Sequence, residues 1–181
     1  MMEEKLYFAY GSNINLEQMA VRCPAATPVC PVVLDNYLLA FRGSGGYNGV
    51  ATILPAEGNK VYGLLWKLTP ACEQSLDRYE GYPHLYYKEQ VTVRDRDGKR
   101  YPVMVYIMGR EFCLDPAEPS QHYFAGIVQG YKQNGLPVRT LFEAAQRTRI
   151  EAEQAERPPW HQLHFDNITK PRHRKKNGPE R

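Results

Sequence analysis

The chain has 181 residues, 43% hydrophobic and 24% charged, with 14 Gly and 14 Pro, which suits one soluble domain with a substantial core. Its net charge is +3, yet from Arg157 onward seven Lys/Arg stand against two Asp/Glu; the rest carries a slight negative excess, which excludes a nucleic-acid-binding surface on the body of the chain. No apolar run reaches membrane-spanning length, and Met1-Met2-Glu3-Glu4-Lys5 lacks the basic and apolar regions of a secretory signal, so a cytoplasmic location without membrane contact is expected.

Leu6 to Tyr10 has the length and apolar, aromatic content of a strand, and it ends abruptly in Gly11-Ser12-Asn13. Gly11 permits positive φ or a close approach, and Ser12 and Asn13 either close their own turn or leave N–H groups free for an anion. A plain tight turn is the alternative. Asn15 then caps a short helix, with Gln18 completing a capping-box pattern, Leu16, Met19 and Cys23 inward, and Pro24 as its stop. Val29 to Phe41 reads as one or two strands with a turn or bulge at Asp35-Asn36. Arg42 to Gly49 is a glycine-rich loop. Val50 to Leu54 is a short strand ended by Pro55, and Lys60 to Leu68 a longer one in which Gly63 marks a bulge or close backbone contact.

Thr69-Pro70 opens a helix that runs to about Glu80, with Leu76 and Tyr79 inward and Gly81 beyond its end. Strands at Tyr87 to Arg94 and Tyr101 to Ile107 flank the hairpin signal Asp95-Arg96-Asp97-Gly98. A helix follows from near Pro119-Ser120, with Tyr123, Phe124, Ile127, Val128 and Tyr131 on one face and Asn134-Gly135 at its end. Another runs from Pro137 to Glu156, with Leu141, Phe142, Ala145 and Ile150 as its apolar side. Connections are too short for repeated βαβ crossovers, so an α+β fold with a curled, mixed or mostly antiparallel sheet is expected over 1–157. Residues 158–181 form a basic, partly disordered tail, on which Trp160 and Phe165 are candidates to pin back onto the domain.

Glu80 stands at the negative end of its helix dipole, with Asp77 one turn earlier and Tyr79, Tyr82, Tyr86 and Tyr87 around it. All of this raises a carboxyl pKa, and a carboxylate so tuned suits general acid–base work near neutral pH. A surface glutamate capped by Arg78 is the competing reading. The four cysteines, Cys23, Cys30, Cys72 and Cys113, and the five histidines, including the His161/His164 pair, have no metal-site spacing, so no metal or cofactor is expected.

The blocks Phe8-Ala9-Tyr10-Gly11-Ser12-Asn13, Gly49-Val50-Ala51-Thr52-Ile53, Val61 to Leu68 and Leu76-Asp77-Arg78-Tyr79-Glu80-Gly81-Tyr82 together resemble the γ-glutamylcyclotransferase family. Agreement continues in Pro119 to Tyr123 and in Gly130 to Pro137, in one order over about residues 5 to 150. The resemblance implies a small mixed β-barrel surrounded by helices. It implies that Tyr10, Gly11, Ser12 and Asn13 hold the γ-glutamyl group and that Glu80 is the catalytic acid/base. Tyr123 matches one of two pocket tyrosines; the other falls on Tyr87 without a gap or on Tyr86 with one. Asn13 stands at the fourth place of the first motif, as in the branch acting on γ-glutamyl amino acids. The implied reaction is closure of a γ-glutamyl amino acid or amide to 5-oxoproline with release of the amino acid or amine. A γ-glutamylamine or other γ-glutamyl carrier is the enzymatic alternative, a non-catalytic module for an acidic metabolite the other, and a homodimer is left open.

Overall fold

The computed structural model describes residues 5–43, 47–113 and 115–156. The tail at 158–181, with Trp160, Phe165, His161 and His164, and the centre of the glycine-rich loop lie outside the described residues. In chain order the elements are β1 (Lys5–Ala9), a 3-10 turn (Ser12–Ile14), α1 (Leu16–Arg22), β2 (Thr27–Gly43), β3 (Val50–Leu68) and α2 (Pro70–Glu80). They continue with β4 (Tyr86–Arg94), β5 (Arg100–Met108), β6 (Asp115–Pro116), α3 (Gln121–Gln133) and α4 (Val138–Glu156).

Five strands close a barrel in the order β3-β1-β5-β4-β2, with β2 pairing back onto β3 and β6 lying beside β2. The sheet is mixed, because β1 runs parallel to β5 and antiparallel to β3. Backbone pairing is uneven around the ring. The β2–β3 and β4–β5 hairpins pair along their lengths, whereas β1 meets β5 at Tyr7↔Met104 and β2 meets β4 at Val33↔Arg94. The Arg94 guanidinium binds both oxygens of Asp35 beside the latter pair, at 2.6 and 2.9 Å. Phe8, Phe41, Leu65, Leu68, Val105 and Ile127 have no solvent exposure and belong to one contiguous core.

The local signals act as their chemistry requires. Thr69 accepts from the Cys72 N–H, and Pro70 opens α2. Gly81 takes the left-handed φ of 66° that ends that helix. Gly98 does the same in the β4–β5 turn at φ 83°. Asn15 caps α1 by accepting from Gln18 N–H at 3.1 Å, although the Gln18 side chain turns to Arg22 instead of closing the box.

Three expectations are corrected. Pro55 does not end a strand: β3 runs on to Leu68, and the register jump from Asp35↔Lys60 to Tyr37↔Pro55 sets Asn36 opposite a bulge at residues 56–59. Its turn is held by Asn36, at φ 62°, whose side chain accepts from the Gly58 N–H. Tyr79 is not inward; it is 48% exposed. On α4, Phe142 and Ile150 are exposed and Ala145 only half-buried, while Leu141, Ala144 and Thr148 are buried against the barrel. The 3.6-residue period fits both stripes, and only the partner surface chooses between them. No helix among the described residues is long and apolar enough to cross a membrane.

Candidate active site

The first strand delivers the site. Tyr7, Phe8, Ala9 and Tyr10 are all buried, and the chain then folds into the 3-10 turn, whose first N–H groups have no partner inside the turn, as at any helix start. Gly11 has φ −111° and needs no left-handed freedom. The space beside it is narrow: a Cβ would lie 3.1 Å from Ala51 Cβ, close enough to need a small shift, and 3.6 Å from the Tyr123 hydroxyl, an ordinary contact. At Gly63 crowding does exclude a side chain, because a Cβ there would overlap the Ala9 carbonyl oxygen and the Phe8 ring.

The turn is gripped from three sides. Trp66 Nε1 donates to the Asn13 carbonyl at 3.1 Å. From α3, Asn134 Nδ2 donates to the Ile14 carbonyl at 3.0 Å, and Gly130 lets the helix backbone come close: a Cβ there would lie 2.8 Å from the Asn15 nitrogen. From α1, Arg22 Nη1 donates to Asn13 Oδ1 at 2.7 Å and to Ser12 Oγ at 3.1 Å.

Asn13 Nδ2 in turn donates to Glu80 Oε1 at 2.8 Å and to the Tyr7 hydroxyl at 2.9 Å. A guanidinium only donates and an ionised carboxylate only accepts, so the Asn13 amide has one orientation. Glu80, the last residue of α2, is half-buried as a whole, and its carboxylate meets a buried side chain. Burial pushes its carboxyl up to about 7, against the opposing pull of the Asn13 N–H and the Arg22 charge. Neither Arg78 nor Asp77 sets this value. Asp77 is paired with Lys88 at 2.7 Å and accepts from the Tyr106 hydroxyl at 2.6 Å.

Four buried or half-buried tyrosines wall the carboxylate: Tyr7, Tyr10, Tyr86 and Tyr123. Burial raises the pKa of each, and the Glu80 charge adds to the rise in all four. Tyr10 donates to the Tyr106 carbonyl and Tyr86 to the Ala51 carbonyl, both at 2.6 Å, while the Ala51 N–H donates to the Tyr123 hydroxyl at 3.0 Å. Tyr10, Gly11, Ser12, Asn13, Glu80 and Tyr123, all singled out from the sequence, therefore come together. Tyr87 does not join them: one step along β4 it faces the other way, with Glu89, Arg110 and Tyr37 as its electrostatic neighbours, and Tyr86 takes the inner place. Tyr7, Arg22 and Trp66 were not singled out. Trp66 lies inside the block Val61 to Leu68 and Tyr7 in the opening strand just before the first block, whereas Arg22 had only its place one turn beyond Gln18 on α1 to mark it.

Among the described residues no three His, Cys, Asp or Glu side chains gather as a metal site, and the four cysteines are free thiols, with Cys23 and Cys72 buried.

A family model described as "Gamma-glutamyl cyclotransferase, AIG2-like" matches residues 7–125. The protein described as "Gamma-glutamylcyclotransferase" from Homo sapiens is 36% identical over 143 residues, 75% of this chain and 74% of the relative. Its Mus musculus counterpart is 34% identical over 142 residues, with the same coverage. Among solved structures, one described as "Gamma-glutamyl cyclotransferase" aligns with a TM-score of 0.70 at 34% identity, covering 78% of this chain and 86% of that one.

Proposed function

Because the chain belongs to the γ-glutamyl cyclotransferase family, we propose that it converts a γ-glutamyl amino acid or amide to 5-oxoproline and the free amino acid or amine, with Glu80 as general acid/base. The observation that carries this reading is the 2.8 Å contact between Asn13 Nδ2 and Glu80 Oε1. It joins the end of α2 to the turn after β1, two features the sequence separates by 67 positions.

Nucleophile and electrophile belong to one substrate molecule. The site therefore needs only to fold that molecule, move a proton and stabilise charge. Glu80 takes a proton from the α-ammonium. The freed amine attacks its own side-chain carbonyl carbon and closes a five-membered ring. The bond from that carbon to the leaving nitrogen then breaks as Glu80 returns the proton to it. A carboxyl near 7 is balanced for both steps at neutral pH. The N–H groups of Gly11, Ser12 and Asn13 hold the anionic part of the γ-glutamyl group. Tyr123 and Tyr86 form the wall that keeps water out. The step requires no metal or cofactor, and a cytoplasmic setting belongs to the same reading.

Incubation of purified protein with γ-glutamyl-alanine, a γ-glutamylamine and glutathione, followed by chromatography for 5-oxoproline, tests the reaction and ranks the leaving groups. Release of 5-oxoproline from the amino-acid conjugate is the expected result. No release from any of the three, together with a thermal shift on adding 5-oxoproline, would replace the enzyme with a binding module.

A further inference from the structure

We propose that Arg22 is the positioning residue of this site: its guanidinium fixes the Ser12–Asn13 turn and aims the Asn13 amide at Glu80. Arg22 closes α1, and its place is set from both helices. Nη2 donates to Gln18 Oε1 at 2.8 Å one turn back, and the Arg22 carbonyl accepts from Ser75 Oγ of α2 at 2.7 Å. The guanidinium carbon lies 3.9 Å from the centre of the Tyr79 ring, so the exposed Tyr79 side chain covers it. Thus held, Nη1 reaches Asn13 Oδ1 at 2.7 Å and Ser12 Oγ at 3.1 Å.

Without the bond to Oδ1 the Asn13 side chain loses its anchor on the far side, and only the Tyr7 hydroxyl and the carboxylate itself hold Nδ2 in place. With that bond, Nδ2 is the group that Glu80 meets. Arg22 therefore acts through Asn13. Among the described residues no Asp or Glu forms an ion pair with it, and its partners there are neutral oxygens, so its charge stands behind the turn uncancelled at contact range. The groups that face the Glu80 carboxylate are Tyr7 and Tyr10 from β1 and its end, Asn13 from the turn, Arg22 from α1, Tyr86 from β4 and Tyr123 from α3. Arg22 is the cation of that set. A lysine would keep the charge but not the planar fork or the stacking.

This inference rests on Glu80 being the acid/base, and the experiment separates the two. Glu80 titration is followed by carboxyl 13C NMR, and kcat/KM for γ-glutamyl-alanine is measured from about pH 5 to 9, for wild type, Arg22→Met and Arg22→Lys. In Arg22→Met the Glu80 titration moves to higher pH, and kcat/KM at neutral pH falls about 10–100-fold. Arg22→Lys keeps its titration near that of wild type yet still loses about tenfold in kcat/KM. Arg22→Met combined with Asn13→Ala loses clearly less than the two single losses combined, because both break one chain of contacts, while the Ser12 bond and the charge are lost with Arg22 alone.

An Arg22→Met variant with unchanged Glu80 titration and unchanged kcat/KM overturns the proposal, as does additivity in the double variant. Should Arg22→Met fail to fold, wild-type kcat/KM in Arg22→Lys overturns it instead. If wild type turns over no γ-glutamyl amide, the reaction is wrong, and the Asn13 side-chain amide resonances decide the positioning role: they should shift in Arg22→Met and Arg22→Lys alike, and resonances unchanged in both overturn it.

Discussion

Replacing Glu80 by Gln keeps the shape of the side chain and the oxygen that accepts from Asn13, and removes only the titration. The magnitude follows from the shift. Glu80 ionises near 4.5 in an unfolded chain and near 7 in the fold. Between those values the folded state binds the extra proton, so the Glu80 contribution to stability is fully present below the lower value and is lost as pH rises through the upper one. For such a pair of values, linkage gives a loss of about 2.5 kcal/mol between about pH 5 and pH 8. Solvent reaching the half-buried residue reduces this to about 1.5–2.5 kcal/mol. Glu80→Gln has no such term, and every other titrating group is common to both proteins. The stability of the variant relative to wild type should therefore rise by that amount from the acid to the alkaline side, about 3–10 °C in relative Tm for a domain of this size. Urea melts of both proteins at about pH 5 and 8 measure it, and kcat/KM should fall about 10²–10⁴-fold at either pH. A stability difference that stays flat with pH, or a variant with full activity, would refute the reasoning.

For wild type, kcat/KM should climb through an acid limb with an apparent pKa near 7, as Glu80 becomes ionised; a limb centred near 4.5 would show an ordinary, solvated carboxyl. Tyr86→Phe should lower kcat/KM and stability together, since it strips the 2.6 Å bond to the Ala51 carbonyl, worth about 1–2 kcal/mol, whereas Tyr87→Phe should change kcat/KM less than twofold. The reverse order would restore Tyr87 to the pocket. Gly63→Ala should cost about 3 kcal/mol or more, because its methyl would overlap the Ala9 carbonyl oxygen and the Phe8 ring; a thermal melt matching that of wild type would contradict this.

Local chemistry was readable where a few adjacent residues decide the outcome. Thr69-Pro70 with Gly81, Asp95 to Gly98, and Asn15 each meet their need within a turn of themselves. Gly63 was readable as a close contact, though not with which atoms. Pro55 misled because a bulge opposite Asn36 depends on the partner strand. Tyr86 and Tyr87 could not be separated, since a one-residue shift of register exchanges the two faces of a strand. The meeting of Glu80 with Asn13 was legible only through the family resemblance, since helix-end electrostatics raise a carboxyl without saying what faces it. Arg22 escaped because its meaning lies in three side-chain partners, and no spacing rule describes the fork they form.

The sparse backbone pairing of β1 with β5 and of β2 with β4 leaves the β4–β5 hairpin fastened to its neighbours by few main-chain bonds. Tyrosine hydroxyls supply the missing stitches: Tyr86 to Ala51, Tyr10 to Tyr106, and Tyr106 to Asp77. Amide exchange in that hairpin should accordingly quicken when any one of these hydroxyls is removed, with the β2–β3 amides little affected. Tyr10 and Tyr86 thus serve twice, beside the Glu80 carboxylate and as fasteners of the barrel, so replacing either disturbs the site and the fold together.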